Sequence, residues 1–177
     1  MAALSSFASN LLEESKRFLS KANETTEPGK NAFLHSALML GFAALEAHVN
    51  AIADDFLVSG DLSAHERGLL AVELSDGEFK EKSSLKIQRL EDRVQFLCRR
   101  FSRRPIDRTA SYWGDFVEAG RLRNRLTHPK ADPPTIGENA VRRALNAIIE
   151  LLNFMYMSIY KKKLPAYNRG LSSKLSF

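Results

Sequence analysis

The sequence AFLHSALMLGFAALEAHV, residues 32–49, is the most apolar stretch of the chain and decides its fold class. Apolar or small side chains recur along it every three or four residues, a spacing that places them on one face of a helix. That face comprises Leu34, Leu38, Gly41, Leu45, His48, Ile52 and Phe56. Neighbouring alanines and Leu40 broaden it, so we expect a central helix that is contacted on several sides. A membrane span of about 20 residues would carry few or no charges, whereas this stretch contains a glutamate and two histidines; we expect a soluble protein.

Helical periodicity extends outward in both directions. A first helix is predicted from Leu4 to the break at residues 24–30, and the central helix from an N-cap at Asn31 to about residue 59. Further helices are predicted over residues 64–74, 84–101 and 110–127, and from Thr135 to the lysines at 161–163. Two Ser/Thr-x-x-Glu capping boxes, Ser63 with Glu66 and Thr135 with Glu138, mark helix starts. The sequence therefore predicts an all-α bundle of five to six helices in one domain, residues 1–165, with a C-terminal tail at 166–177. Because the linkers are short, the long helices should run antiparallel.

The composition narrows the class of protein. The chain has 177 residues, 44% of them hydrophobic and 27% charged, which excludes a disordered or collagen-like chain. Its one cysteine, Cys98, excludes an internal disulfide and a multi-cysteine zinc site. The N-terminus lacks the pattern of a signal peptide, so we expect a cytoplasmic protein. A net charge of +5 permits a nucleic-acid partner without requiring one.

Several common catalytic motifs are absent from the sequence. It contains no glycine-rich dinucleotide loop, no Walker loop, no His-Glu-x-x-His and no Gly-x-Ser-x-Gly. His35, His48 and His65 do not have the spacing of metal ligands. We therefore expect neither a metal nor a cofactor. His48 lies on the apolar face and is predicted to be a core histidine, and Cys98 is predicted to be core filler.

Residues 121–128, RLRNRLTH, hold three arginines and a histidine near a predicted helix end. Arg121, Arg125 and His128 share one helical stripe, and Arg123 lies about 7.5 Å before His128 and about 140° around the axis. Guanidinium groups bind phosphate in a bidentate fashion, and imidazole exchanges protons near neutral pH. The cluster thus carries the groups needed for metal-independent cleavage of an RNA phosphodiester by its 2′-hydroxyl. The alternative is a solvated helix end whose cations complement the helix dipole.

The motif Arg123-Asn124-x-x-x-His128 resembles that of the HEPN superfamily, all-helical proteins that include many prokaryotic RNase toxins and defence proteins. Residues 41–50, GFAALEAHVN, are similar to the early HEPN helix that supplies an acidic residue. The resemblance implies a homodimer in which two motifs share one composite cleft. Arg123 and His128 would then be the catalytic pair and Asn124 the polar residue between them, with Glu46 at the acidic position.

Other residues could extend this site. Glu46, Asn50 and Asp54 share a helix face that either lines the cleft or is merely solvated. Arg121 and Arg125, and the loop residues Arg103 and Arg104, are candidate RNA-binding groups, although a basic loop can also be only a solvated surface. The aromatic and apolar residues Tyr112, Trp113, Phe116 and Val117 suggest that the helix carrying the motif takes part in the dimer interface.

Two functions follow from these residues. The first is a metal-independent endoribonuclease of toxin or antiphage-defence type, with RNA as substrate and a separate antitoxin or effector protein as a possible partner. The second is a non-catalytic helical module that binds a protein partner or a nucleotide. Convergence of Arg123 and His128 on one open cleft across a dimer axis would favour the first.

Overall fold

The computed structural model describes residues 2–57, 63, 72–75, 78–81, 89–128 and 135–176. Within these ranges five α-helices form a bundle, which confirms the predicted all-α class. They are α1 (Ala2–Asn23), α2 (Gly29–Leu57), α3 (Leu90–Leu97), α4 (Ser111–Thr127) and α5 (Glu138–Tyr160). A π-helical turn, Cys98–Ser102, continues α3, and a short 3₁₀ helix, Tyr167–Arg169, follows α5.

A small antiparallel hairpin accompanies the helices. Strands β1 (Val72–Ser75) and β2 (Glu78–Glu81) pair with Val72 opposite Glu81 and Ser75 opposite Glu78. The helix predicted over residues 64–74 is therefore wrong at its end, while residues 64–71 lie outside the described residues. The sequence Val72-Glu73-Leu74-Ser75 alternates apolar and polar residues, and Asp-Gly follows it, a pair typical of hairpin turns.

The central position predicted for α2 is confirmed. This helix packs most extensively on α1 and also contacts α3, α4 and α5. Its fully buried side chains include Leu34, Leu38, Leu45, Val49 and Ile52. Each contributes about 1.5–3 kcal/mol through burial. The helix has the length and composition of a membrane-crossing segment, with a mean hydropathy of 1.4, but 56% of that window is buried in the bundle. Core packing therefore accounts for its apolar character.

Two of the three predicted helix caps are not formed, and the third lies partly outside the described residues. The helix α2 begins at Gly29, so Asn31 lies inside it, where its side chain donates to Glu27 Oε2 at 2.8 Å. The N-cap of α5 is Gly137, without a side-chain cap, so the capping box of Thr135 and Glu138 is wrong. Glu138 instead accepts from Arg142 Nε at 2.8 Å and pairs with Lys30 of α2 at 3.1 Å. Glu66, of the Ser63 box, lies outside the described residues.

The segment predicted as a C-terminal tail is anchored to α1 through a buried carboxylate. Glu13 is 1% exposed and accepts hydrogen bonds from Arg169 Nη2 and from the backbone N–H of Lys174, each at 2.7 Å. Lys16, fully buried, lies 3.4 Å from Glu13 and donates to the carbonyl of Ala166. Burial raises the pKa of Glu13, but these donors and cations outweigh it and lower the pKa overall.

His48 and Cys98 are both core residues, as predicted. His48 is fully buried, and its Nδ1 lies 3.0 Å from the hydroxyl of Tyr156 on α5. Burial lowers the pKa of His48 to about 4. Cys98 is also fully buried, and burial raises the pKa of its thiol to about 12, which leaves it protonated and unreactive at neutral pH.

Substitution of Gly41 tests the closeness of helix packing around α2. A Cβ at Gly41 would collide with Leu145 Cδ2 of α5 and would lie 3.2 Å from Ser15 Oγ of α1. Overpacking costs about 1–3 kcal/mol, which outweighs the roughly 1 kcal/mol that Ala gains over Gly in a helix. Gly41→Ala should therefore lower the free energy of unfolding in urea. The control is Gly114→Ala at an exposed position of the helix Ser111–Thr127, where a Cβ meets nothing within 4 Å and stability should rise. Equal effects at both positions would contradict this packing.

Burial of His48 predicts acid sensitivity. The unfolded chain binds a proton at this imidazole near pH 6.5 and the folded chain only near pH 4. The contribution of the neutral His48 ring to the free energy of unfolding is therefore fully present above pH 6.5. It is lost as the pH decreases towards 4, a loss of about 3 kcal/mol. Urea titrations at several pH values should show this loss in the wild type and in His128→Gln, whose ring is exposed. His48→Gln should be less stable at pH 7 but lack this component; parallel profiles for His48→Gln and wild type would contradict the assignment.

Candidate active site

Helix α4 presents the RLRNRLTH motif beside α2. Trp113, Phe116, Ala119 and Leu122 form the buried face of α4. This face fixes the rotation of the helix, so that Arg123, the residue after Leu122, points along the surface of α2. Phe116 stacks on Phe42 of α2 with 6.2 Å between the ring centroids.

Arg123 forms an ion pair with Glu46. Its Nη2 lies 3.0 Å from Glu46 Oε1, and the two side chains are 32% and 37% exposed. The guanidinium carbon lies 5.8 Å from the centroid of the Phe42 ring, one helical turn before Glu46 on α2. These contacts hold the guanidinium at one place while leaving part of it accessible. A pair this exposed contributes at most about 1 kcal/mol to stability, so its main consequence is orientation.

The ion pair lies in a cleft of about 620 Å³ between α2, α3 and α4. Among the described residues, its charged lining consists of Arg89, Arg93, Arg121, Arg123, Glu46 and Glu91. Four arginines against two glutamates leave a surplus of positive charge, and the volume lies in the range of small-ligand pockets. Such a surplus in a partly enclosed cleft concentrates anions.

Asn124 and Arg121 also line this cleft. Asn124 is exposed, and its Oδ1 lies 3.4 Å from Arg123 Nη1. Arg121 is 72% exposed and pairs with Glu118 on its own helix at 3.4 Å. Arg121 therefore lies at the rim, where it can meet a ligand but is not fixed in one orientation.

His128 does not line the cleft. It is the exposed C-cap of α4, and its backbone N–H donates to the carbonyl of Asn124 at 2.9 Å. The predicted end of the helix at this point is thus confirmed. One chain brings together Glu46, Arg121, Arg123 and Asn124, but it leaves His128 beyond the last helical turn.

The remaining candidate residues lie elsewhere. Arg125 is exposed on α4 outside the cleft lining. Arg103 and Arg104 are exposed after the π-helical turn, with Arg103 at a φ of 56° and the N–H of Arg104 donating to Ser102 Oγ at 3.1 Å. Asp54 is not part of the lining either; burial, followed by the charge of Asp55, raises its pKa.

Arg89 and Arg93 are the cleft residues that sequence reasoning missed. They occupy positions i and i+4 at the start of α3, and Arg93 Nη2 donates to Asn50 Oδ1 of α2. The spacing alone could have indicated a basic helix face. It could not have shown that this face lies over Glu46, because the connection between α2 and α3 is long and nothing in its sequence indicates where α3 packs.

Neither the chemistry of the described residues nor comparison with known proteins identifies a cofactor or a family for the chain. Within the described ranges, no group of three or more His, Cys, Asp or Glu side chains could hold a metal ion. Comparison of the chain with family models, curated proteins and solved structures finds no significant match. A functional assignment therefore has to rest on the residues of the cleft and of the RLRNRLTH motif.

Proposed function

We propose that the chain is a metal-independent endoribonuclease of HEPN type, a cytoplasmic toxin or antiphage-defence protein. The observation that carries the proposal is the part-exposed Arg123 guanidinium, held by Glu46 in a cleft with surplus positive charge. The same helix ends in an exposed histidine five residues later. An oriented guanidinium and a free imidazole on one short motif are the two groups that this chemistry requires.

Each group has a distinct role in the proposed reaction. RNA enters with its scissile phosphate against Arg123, which stabilises the negative charge that accumulates on the phosphate oxygens. The imidazole of His128 takes the proton from the 2′-hydroxyl or gives one to the departing 5′-oxygen. The products are a 2′,3′-cyclic phosphate and a free 5′-hydroxyl. Glu46 and Asn124 orient Arg123, and the exposed Arg121, Arg125, Arg103 and Arg104 attract the RNA backbone.

The position of His128 makes a second copy of the chain part of the proposal. Since His128 lies outside the cleft of its own chain, a complete site would combine Arg123 of one protomer with His128 of the partner subunit. Closed two-fold dimers are the commonest soluble oligomers. Of the four residues expected at the interface, Trp113 and Phe116 are instead buried in the protomer's own core, whereas Tyr112 and Val117 are partly exposed. The exposed stripe of Arg121, Arg125 and His128 is then the part of α4 that faces the partner subunit. A separate antitoxin or effector protein would inhibit cleavage by covering this stripe.

Loss of His128 should abolish most of the activity while preserving the fold. General acid–base catalysis contributes about 10²- to 10⁴-fold, so His128→Ala should slow RNA cleavage by that order. Arg123→Ala should slow it by about 10²-fold or more through lost stabilisation of the phosphate charge. The assay is cleavage of a fluorescent RNA in EDTA, with circular dichroism as the check on folding.

The matched control is Arg103→Ala, an exposed arginine outside the cleft. It should weaken RNA binding in a salt-dependent way and leave the rate at saturation unchanged. Wild-type cleavage by folded His128→Ala would overturn the assignment, and so would cleavage that needs added magnesium. A protein that is inactive in every form would instead support the non-catalytic interaction module.

The composite site also predicts an oligomeric state. Light scattering at micromolar concentration should give about twice the chain mass of 19.9 kDa. Mixing His128→Ala with Arg123→Ala should restore part of the activity, because half of the sites in a mixed dimer would contain both wild-type groups. A monomer in solution, or failure of the mixture to regain activity when the wild type is active, would contradict shared sites.

A further inference from the structure

We propose that Arg93 is a second phosphate-binding residue, which holds a phosphate of the bound strand beside the one that Arg123 contacts. The inference rests on the proposed function in that the ligand is RNA. It assigns to Arg93 a part in substrate affinity, distinct from the chemical step at Arg123 and His128. The first turn of α3, rather than the RLRNRLTH motif alone, would then form the opposite wall of an RNA-binding cleft.

The first observation is the charge of Arg93. Its side chain is partly buried in the cleft wall, and its hydrogen-bond partner among the described residues is the neutral amide of Asn50. Arg123, by comparison, has a carboxylate at 3.0 Å. Charged groups removed from water are normally paired with an opposite charge. Arg93 therefore carries a positive charge without a direct ion pair in the described part of the chain, which favours an anionic ligand.

The second observation is the way α2 fixes both arginines. Glu46 holds Arg123, and Asn50, one helical turn further on, holds Arg93. A guanidinium has five N–H donors, and these contacts use one hydrogen-bonding nitrogen of Arg93 and two of Arg123. Both side chains thus keep free donors at fixed positions around the cleft. Pre-organised donors of this kind are suited to phosphate oxygens.

The third observation is an incomplete hydrogen-bond network. Among the described residues, the buried Nε atoms of Arg93 and Arg123 both lack an acceptor. Buried donors are almost always paired, so each unpaired one calls for an explanation, and a bound ion is one such explanation. Two of them on arginines of the same cleft fit a ligand that brings its own acceptors, in agreement with the first two observations. Burial lowers the pKa of Arg93, while the negative charge of Glu46 counteracts this change.

The test separates binding from cleavage by using RNA that cannot react. Fluorescence anisotropy with a 2′-O-methyl RNA oligonucleotide measures affinity at several salt concentrations. Arg93→Gln should weaken binding about tenfold or more and reduce the slope of log affinity against log salt by about one. The matched control is Arg143→Gln, an arginine on α5 that is 65% exposed and outside the cleft; it should change affinity much less.

Two further measurements keep the inference falsifiable if Arg93→Gln folds poorly. Arginine Nε–Hε NMR signals of the wild type, titrated with the same RNA, should show Arg93 and Arg123 shifting together while Arg143 stays unchanged. In the cleavage assay with unmodified RNA, Arg93→Lys should raise KM more than it lowers kcat. An ammonium keeps the positive charge but cannot bind a phosphate through two parallel N–H donors. An unmoved Arg93 signal, or equal affinity of folded Arg93→Gln and wild type, would overturn the inference.

The outcomes distinguish this inference from the proposed function. RNA binding that depends on Arg93, in a protein that cleaves no RNA, would support the phosphate site and contradict the endoribonuclease. Cleavage that depends on His128 and Arg123, with unchanged KM in Arg93→Gln, would support the endoribonuclease and contradict the role of Arg93. Absence of any binding to the 2′-O-methyl RNA would contradict both.

Discussion

The apolar helix α2 has to be buried, and the other helices are arranged around it. The helix is apolar on most of its circumference, and a helix of this kind has to be covered on several sides. Helices α1, α3, α4 and α5 supply that cover. Gly41 allows close approach of α1 and α5. Among the described residues, the cover beside Glu46 is incomplete, and there the arginines of α3 and α4 meet α2 around an open cleft.

In the proposed function, the polar residues of α2 turn this gap into an anion site. Glu46 and Asn50 are too few to neutralise the arginines that surround them, and one of the two is an amide. The two side chains hold the guanidinium groups in place, so that a phosphate would find its donors already oriented. The buried pair of Lys16 and Glu13 differs from this site, because its hydrogen-bond network is completed by Arg169 and by the backbone N–H of Lys174. These contacts fasten the C-terminal segment to α1. A closed network stabilises the fold, whereas the network around Arg93 is incomplete among the described residues and is the one that we propose a ligand completes.

Sequence periodicity was sufficient for what depends on local pattern. The long helices, the core position of His48 and the helix end before Pro129 follow from apolar spacing and from the backbone preference of the residue before proline. Glu138 shows where local pattern fails. Its spacing from Thr135 is that of a capping box, but its carboxylate instead pairs with Lys30 of α2 and with Arg142 of its own helix. The helix predicted over residues 64–74 is wrong at Val72 and Leu74 for a different reason: the alternation of apolar and polar residues is only four residues long, and the helical prediction was extended over it.

The candidate site was predictable only in part, because a motif indicates residues near one another in sequence and a cleft collects residues from several helices. The motif indicated Arg123 and Asn124. Glu46 was indicated by the similarity of residues 41–50 to the early HEPN helix that supplies an acidic residue. Arg93 has no such signal, and its relevance arises from the packing of α3 over Asn50. His128 shows the converse. It belongs to the motif, but in one chain it lies outside the cleft, so the role proposed for it depends on a second copy.

A crystal structure of the protein with a 2′-O-methyl RNA would show whether this cleft binds RNA for cleavage. We expect a two-fold dimer in which a phosphate lies within hydrogen-bond distance of Arg123 and a neighbouring phosphate contacts Arg93. The imidazole of His128 from the partner subunit should face the modified 2′-oxygen or the 5′-oxygen. RNA bound on another surface, or a dimer that leaves each His128 remote from both clefts, would contradict this expectation.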